Sequence, residues 1–235
     1  MLLWNLDLLL SDPILMLFMV AAISAALLVA ITVHEFSHAF VAYKLGDVTA
    51  SRQGRLSLNP LVHLDPLGTL MLFFVGFGWG KPVPVNPHQF RTGMRQGTAL
   101  VSVAGPVSNL IAAFLFTIPV KFGLLAWHSP LLYQFSPQRG VSWLLADLIG
   151  YIVFYNIILA VFNLIPVAPL DGFGVALGIL PGHLANTLAK LERYGPAVLM
   201  IVIGVGYFTR FNVLWGFLGP AVSVLGRVIV GRPVL

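Results

Sequence analysis

The chain has no cysteine, which excludes disulfide frameworks and thiolate metal sites and leaves any metal to His, Asp, Glu or Asn. Charge is also scarce: 9% of residues are Asp, Glu, Lys or Arg, against 58% hydrophobic. A soluble domain carries about a quarter charged residues. This composition therefore describes an integral, multi-pass membrane protein in contact with the lipid bilayer. No Lys or Arg precedes Lys44, so the basic leader of a cleavable signal peptide is missing and the first apolar segment is expected to be retained. The net charge of +5 comes without a basic cluster interleaved with stacking aromatics, so no nucleic-acid partner is expected.

The apolar runs define the layout. Met1 to Asp12 mixes Trp4, Asn5 and Asp7 among leucines and suits the headgroup region. A first span is predicted over about 13–43, longer than the ~20 residues that cross the hydrocarbon core. The region of about 46–95 differs in kind, with Arg52, Arg55, Lys81, Arg91 and Arg95 spread among Gly and Pro. Within it, Arg55 to Asn59 and Lys81 to Val85 read as short edge strands of a small β-hairpin or sheet at the membrane surface, since proline is tolerated at sheet edges. Leu67 to Trp79 is apolar but too short for a full crossing, which predicts a re-entrant segment turned by Gly76, Gly78 and Gly80. Further spans are expected over about 98–120, 141–165 and 197–230, the last divided in two near Thr209 to Asn212. The fold class is thus an all-α polytopic membrane protein of about five to six transmembrane or half-crossing helices with a small surface β element, forming one membrane-embedded domain over 1–235. The distribution of Lys and Arg puts the N-terminus outside and the 46–95 region in the cytoplasm.

Late in the first span stands His34-Glu35-Phe36-Ser37-His38. Helical positions i and i+4 share a face, so two imidazoles can meet one metal ion with Glu35 beside them. This is the HExxH pattern in which two histidines bind Zn²⁺ and the glutamate acts as general base. Ionisable groups on an apolar helix are costly unless they face an interior, so a functional reading outweighs a solvated one. A catalytic zinc takes a third protein ligand, and the chain offers only eight acids. Asp7, Asp12, Asp47, Asp65 and Asp147 are all possible, but Asp171 is the best candidate. Its surroundings, Asn163-Leu164-Ile165-Pro166-Val167-Ala168-Pro169-Leu170-Asp171-Gly172, would break a helix near membrane depth and turn a carboxylate inward.

These two elements together resemble the site-2 protease family of intramembrane zinc metalloproteases. The membrane-embedded HExxH matches at His34 to His38, and the distant Asn-x-x-Pro-x-x-x-Leu-Asp-Gly matches at Asn163 to Gly172. The resemblance implies one Zn²⁺ per chain held by His34, His38 and Asp171, with Glu35 as base and Asn163 positioning substrate or stabilising the oxyanion. Ala104 to Asn109 is similar to a family segment on the intervening helix, making Asn109 a second polar contact at the site. No inserted PDZ-like domain and no C-terminal regulatory domain is seen, as in a minimal catalytic core.

The implied function is regulated intramembrane proteolysis: hydrolysis of peptide bonds in transmembrane segments of partner proteins, with the site toward the cytoplasmic face. The extended stretches near Leu56 and Val83 could pair with an unwound substrate. The alternative is a zinc-binding membrane protein without proteolysis, either a transporter or a chaperone of membrane segments. Other features have plainer readings. His63 fits a surface turn, and His88, His128 and His183 fit solvated loops. Gly174, Gly178 and Gly182 form a small-xxx-small series suited to helix packing.

Overall fold

The computed structural model describes residues 10–75, 78–130, 140–208 and 213–234. Asp7, Gly76 and the expected break at Thr209 to Asn212 lie outside them. The first helix, α1, runs Pro13–Lys44. It opens with Pro13 in the first turn and with Asp12 as cap, whose Oδ1 accepts the Leu15 amide at 2.9 Å. Next come α2 (Pro66–Val75) and α3 (Met94–Phe116). The chain continues through α4 (Gly140–Asn163), α5 (Asp171–Ile179) and α6 (Gly182–Lys190). It ends with α7 (Gly195–Phe208) and α8 (Val213–Val230).

Three helices among the described residues are long and apolar enough to cross a membrane: Pro13–Lys44, Met94–Lys121 (α3 with the turn that follows it) and Gly140–Asn163. They coincide with the first three predicted spans. The region of the fourth predicted span holds two shorter helices among the described residues, α7 and α8.

The three long helices pack on one another through small residues. On α1 the buried positions Ala26, Ala30, His34, His38 and Ala42 follow one another every fourth residue. On α3, Gly97, Val101, Gly105, Asn109 and Ala113 do the same. Rows at this spacing are the ridges by which helices interdigitate, and small side chains allow the close approach that replaces the hydrophobic drive inside lipid. Both histidines therefore stand on the packed face of α1. A second cluster joins Ile23 and Ala26 of α1 to Tyr151 and Ile152 of α4. The largest core cluster joins Ala113 of α3, Val153 and Ile157 of α4, and Leu218 and Val222 of α8.

α5 lies against α3 through the predicted glycines. A methyl carbon at Gly174 would fall 2.2 Å from Ser102 Oγ, and one at Gly178 would fall 2.2 Å from Ala99 Cβ. Gly182 has nothing within 4 Å, so the packing series stops at two members.

The surface β element requires correction. Among the described residues there is no strand, only an isolated antiparallel bridge between Leu64 and Gly80. Lys81 to Val85 forms no strand: the Lys81 amide meets the His63 carbonyl at 2.8 Å, but Pro82 and Pro84 supply no amide donors and the Val83 amide is given to Glu35. The Lys81 and Pro82 carbonyls are also already taken by the buried Arg55 guanidinium. Arg55 to Asn59 leads instead into a turn, with Asn59 Oδ1 accepting the Leu61 amide at 3.1 Å. The limb after α2 returns along it so closely that a methyl carbon at Gly78 would lie 2.2 Å from the Gly68 carbonyl oxygen.

Candidate metal centre

Local helix geometry brings His34 and His38 together, their ring centroids 4.6 Å apart and nearly perpendicular. Tertiary packing brings the third group. After α4 the chain makes tight turns, with the Val167 amide bonded to Ile165 O at 2.8 Å and the Leu170 amide to Val167 O at 2.9 Å. Asp171 then stands at the first position of α5. Its Oδ2 lies 2.9 Å from His34 Nε2 and 3.2 Å from His38 Nε2. Gly172 is required for this turn, since a methyl carbon there would meet the Leu164 carbonyl oxygen at 2.2 Å.

The rings are tied from behind. His34 Nδ1 is 2.6 Å from Asn109 Oδ1, and His38 Nδ1 is 2.7 Å from the Val101 carbonyl oxygen. Both partners are acceptors, so each Nδ1 carries the hydrogen, and in the neutral ring each Nε2 presents a lone pair. Two lone pairs and a carboxylate oxygen thus converge with no hydrogen of their own to share, and buried Asp171 Oδ2 has no hydrogen-bond donor. Such a cluster calls for a cation at its centre. The separations suit a small tetrahedral ion: ligands about 2.0–2.1 Å from zinc stand about 3.3 Å apart. His34, His38 and Asp171 could therefore hold a metal, their ligand atoms lying within 4.8 Å of one another.

The fit leaves no spare room on the α3 side. A methyl carbon at Gly105 would lie 2.5 Å from His38 Nε2 and 2.7 Å from His34 Nε2. Beside the site lies a cavity of about 640 Å³, lined by His34, Glu35, His38, Asn163 and Asp171 together with residues of α1, α2, α3 and the limb at 78–87. Glu35 faces this cavity, and its Oε2 accepts the Val83 amide at 3.0 Å. Asn163 lines it too, while its Nδ2 donates to the Leu159 carbonyl at 3.0 Å.

A profile of the peptidase family M50 matches residues 22–203. The chain belongs to peptidase family M50, the site-2 proteases. It is 41% identical over 176 residues to the candidate zinc metalloprotease YwhC of Bacillus subtilis, covering 75% of this chain and 77% of that protein. It is 29% identical over 185 residues to the candidate zinc metalloprotease Rip2 of Mycolicibacterium smegmatis, covering 76% of this chain and 65% of that protein. With Rip2 of Mycobacterium tuberculosis the identity is 31% over 183 residues, covering 76% and 64%. The chain thus spans just under two thirds of the Rip2 proteins. No solved structure matches it.

Within this M50 chain the other polar residues sort by geometry. Asn109 stands behind His34, fully buried, and does not line the cavity. Asn156 of α4 touches Asn109 and had no sequence signal beyond being an asparagine in an apolar span. His63 is fully buried rather than on a surface turn, with Nε2 2.7 Å from the Ser57 carbonyl oxygen. His128 is not solvated either: it is buried, with Nδ1 2.5 Å from Asp147 Oδ1, which places Asp147 in a pair remote from the metal centre. His88 and His183 are exposed, as expected.

Proposed function

We propose that this chain is an intramembrane zinc endopeptidase that cuts transmembrane segments of other membrane proteins. One observation carries the reading: two imidazole nitrogens, one carboxylate oxygen and an adjacent glutamate meet in an apolar cavity among helices long enough to span a membrane. His34, His38 and Asp171 would hold a zinc ion, which when bound would supply Lewis-acid activation of the scissile carbonyl and bring the pKa of water to about 7. Glu35 takes a proton from the attacking water and passes it to the leaving amine. The Val83 amide restrains one carboxylate oxygen of Glu35 and leaves the other for that transfer. Asn163, on the cavity wall, has a second amide hydrogen to offer the developing oxyanion. The apolar walls receive the side chains of an unwound membrane helix.

The basic residues of the 46–95 region lie between α1 and α3 in the sequence, and the HExxH motif sits toward the same end of α1. By the positive-inside rule this end faces the cytoplasm, with the N-terminus outside. The whole of 1–235 acts as one membrane-embedded catalytic domain in this reading.

The test uses purified protein in detergent, a transmembrane peptide and Glu35→Gln. The general base contributes about 10²–10⁴-fold, so Glu35→Gln should lose cleavage by that factor while keeping its zinc, and a chelator should abolish wild-type cleavage. Cleavage that survives Glu35→Gln overturns the mechanism. Stoichiometric zinc with no cleavage of any membrane peptide would favour a zinc-binding transporter or chaperone.

A further inference from the structure

Two buried asparagines are not used by this chemistry. Asn109 on α3 and Asn156 on α4 are both inaccessible to solvent, where an amide is costly unless its hydrogen bonds are made. Asn156 Nδ2 donates to the Ile152 carbonyl of its own helix at 2.8 Å. Its Oδ1 is thereby turned outward and accepts from Asn109 Nδ2 at 2.8 Å. Asn109 Nδ2 also donates to the Ala30 carbonyl of α1 at 2.9 Å. Asn109 therefore presents Oδ1 to His34 Nδ1, at 2.6 Å.

Every direction in this chain follows from two backbone carbonyls, which can only accept. Turning either amide over would set oxygen against oxygen. An oxygen at Nδ1 of His34 requires the hydrogen there, and the Nε2 lone pair is left facing Asp171 and His38. His38 obtains the same result from the Val101 carbonyl, which cannot turn over. A side-chain amide can, and Ala30 and Asn156 remove that freedom.

We propose that Asn109 and Asn156 form a polarised relay across α1, α3 and α4 that fixes the tautomer and orientation of His34 as a metal ligand. Asn156 acts as a positioning residue two contacts from the metal. The inference rests on the metal-site reading above.

The test is zinc affinity of the full chain in detergent, measured by competition with a chromophoric chelator, with the visible spectrum of the cobalt(II) form as a second readout. Partners behind a ligand histidine are worth about 10–100-fold in metal affinity. Asn109→Leu should weaken zinc binding by about that factor and shift the cobalt bands. Asn156→Ser should weaken it by about 3–10-fold, since Ala30 still holds Asn109. Asn109→Asp keeps an acceptor at His34 but sets its second oxygen against the Ala30 carbonyl and Asn156 Oδ1, so it should not restore wild-type affinity. A purely structural role predicts variants that melt earlier without metal yet bind zinc with wild-type affinity and an unchanged cobalt spectrum, and that result overturns the proposal. Should Asn109→Leu not fold, Asn156→Ser, which touches no ligand, decides by the same two readouts. If wild type binds no zinc, or His34→Ala binds it as tightly, the metal-site reading itself fails.

Discussion

Gly105→Ala is the smallest substitution that should disable the metal centre. The added methyl carbon would lie 2.5 Å from His38 Nε2, 2.6 Å from His34 Cε1 and 2.7 Å from His34 Nε2. Ordinary contact begins at 3.4 Å, so the His38 ring must retreat by about 0.9 Å and the His34 ring by about 0.8 Å. Neither ring can swing aside cheaply, because Val101 O holds one Nδ1 and Asn109 Oδ1 the other. A misplacement of about 1 Å costs about 10²-fold in catalysis, or about 2.7 kcal/mol. Overpacking should cost a further ~1–3 kcal/mol of stability. The assay is peptide cleavage at saturating zinc, with zinc content and Tm measured on the same sample. Gly204→Ala is the control: nothing lies within 4 Å of a methyl carbon there, and alanine in a helix should be neutral or stabilising by up to about 1 kcal/mol. If Gly105→Ala kept wild-type zinc affinity and turnover, the cramped cradle described for the two histidines would be wrong.

Two further predictions concern the segment that borders the site. Burial raises the pKa of the Asp47 carboxyl, but hydrogen bonds from the Thr49 side chain and from the Asn86 and Thr49 amides outweigh it and hold the group below its ordinary value. Its contribution to stability is therefore present above the unfolded value of about 3.9 and is lost as pH falls through the lower folded value. Asp47→Asn should cost about 1 kcal/mol at neutral pH and flatten that acid limb in melting experiments; an unchanged limb would refute the assignment. Arg55, buried and donating to the Lys81 and Pro82 carbonyls, anchors the segment that carries the Val83 amide. Losing hydrogen bonds from a charged group costs about 1.5–3 kcal/mol, so Arg55→Met should speed hydrogen exchange over 80–86 by about 10–100-fold, and unaltered exchange would show that the segment is held by other contacts.

Much of the membrane layout was legible in sequence, because an apolar run long enough to span has few other uses. The three long spans match to within a few residues. The surface strands failed for a local reason with a tertiary cause: alternation and edge prolines fit a strand, but a strand needs a neighbour, and the carbonyls that would have paired were taken by Arg55. His63 and His128 were misread because burial of a loop residue depends on what the rest of the chain lays over it.

The sequence by itself determined the pairing of His34 with His38, since i to i+4 spacing is a property of one helix. It also marked Asp171 through its proline-rich setting. Only the tertiary structure decided that Asp171 Oδ2 meets both rings, that glycine is the one residue type at position 105 that leaves the rings their room, and that Asn109 stands behind His34 with Asn156 bonded to it. The physical reason is range: helical periodicity and hydropathy are local and can be read from neighbours, whereas hydrogen-bond direction and steric clearance arise between helices that the sequence keeps far apart.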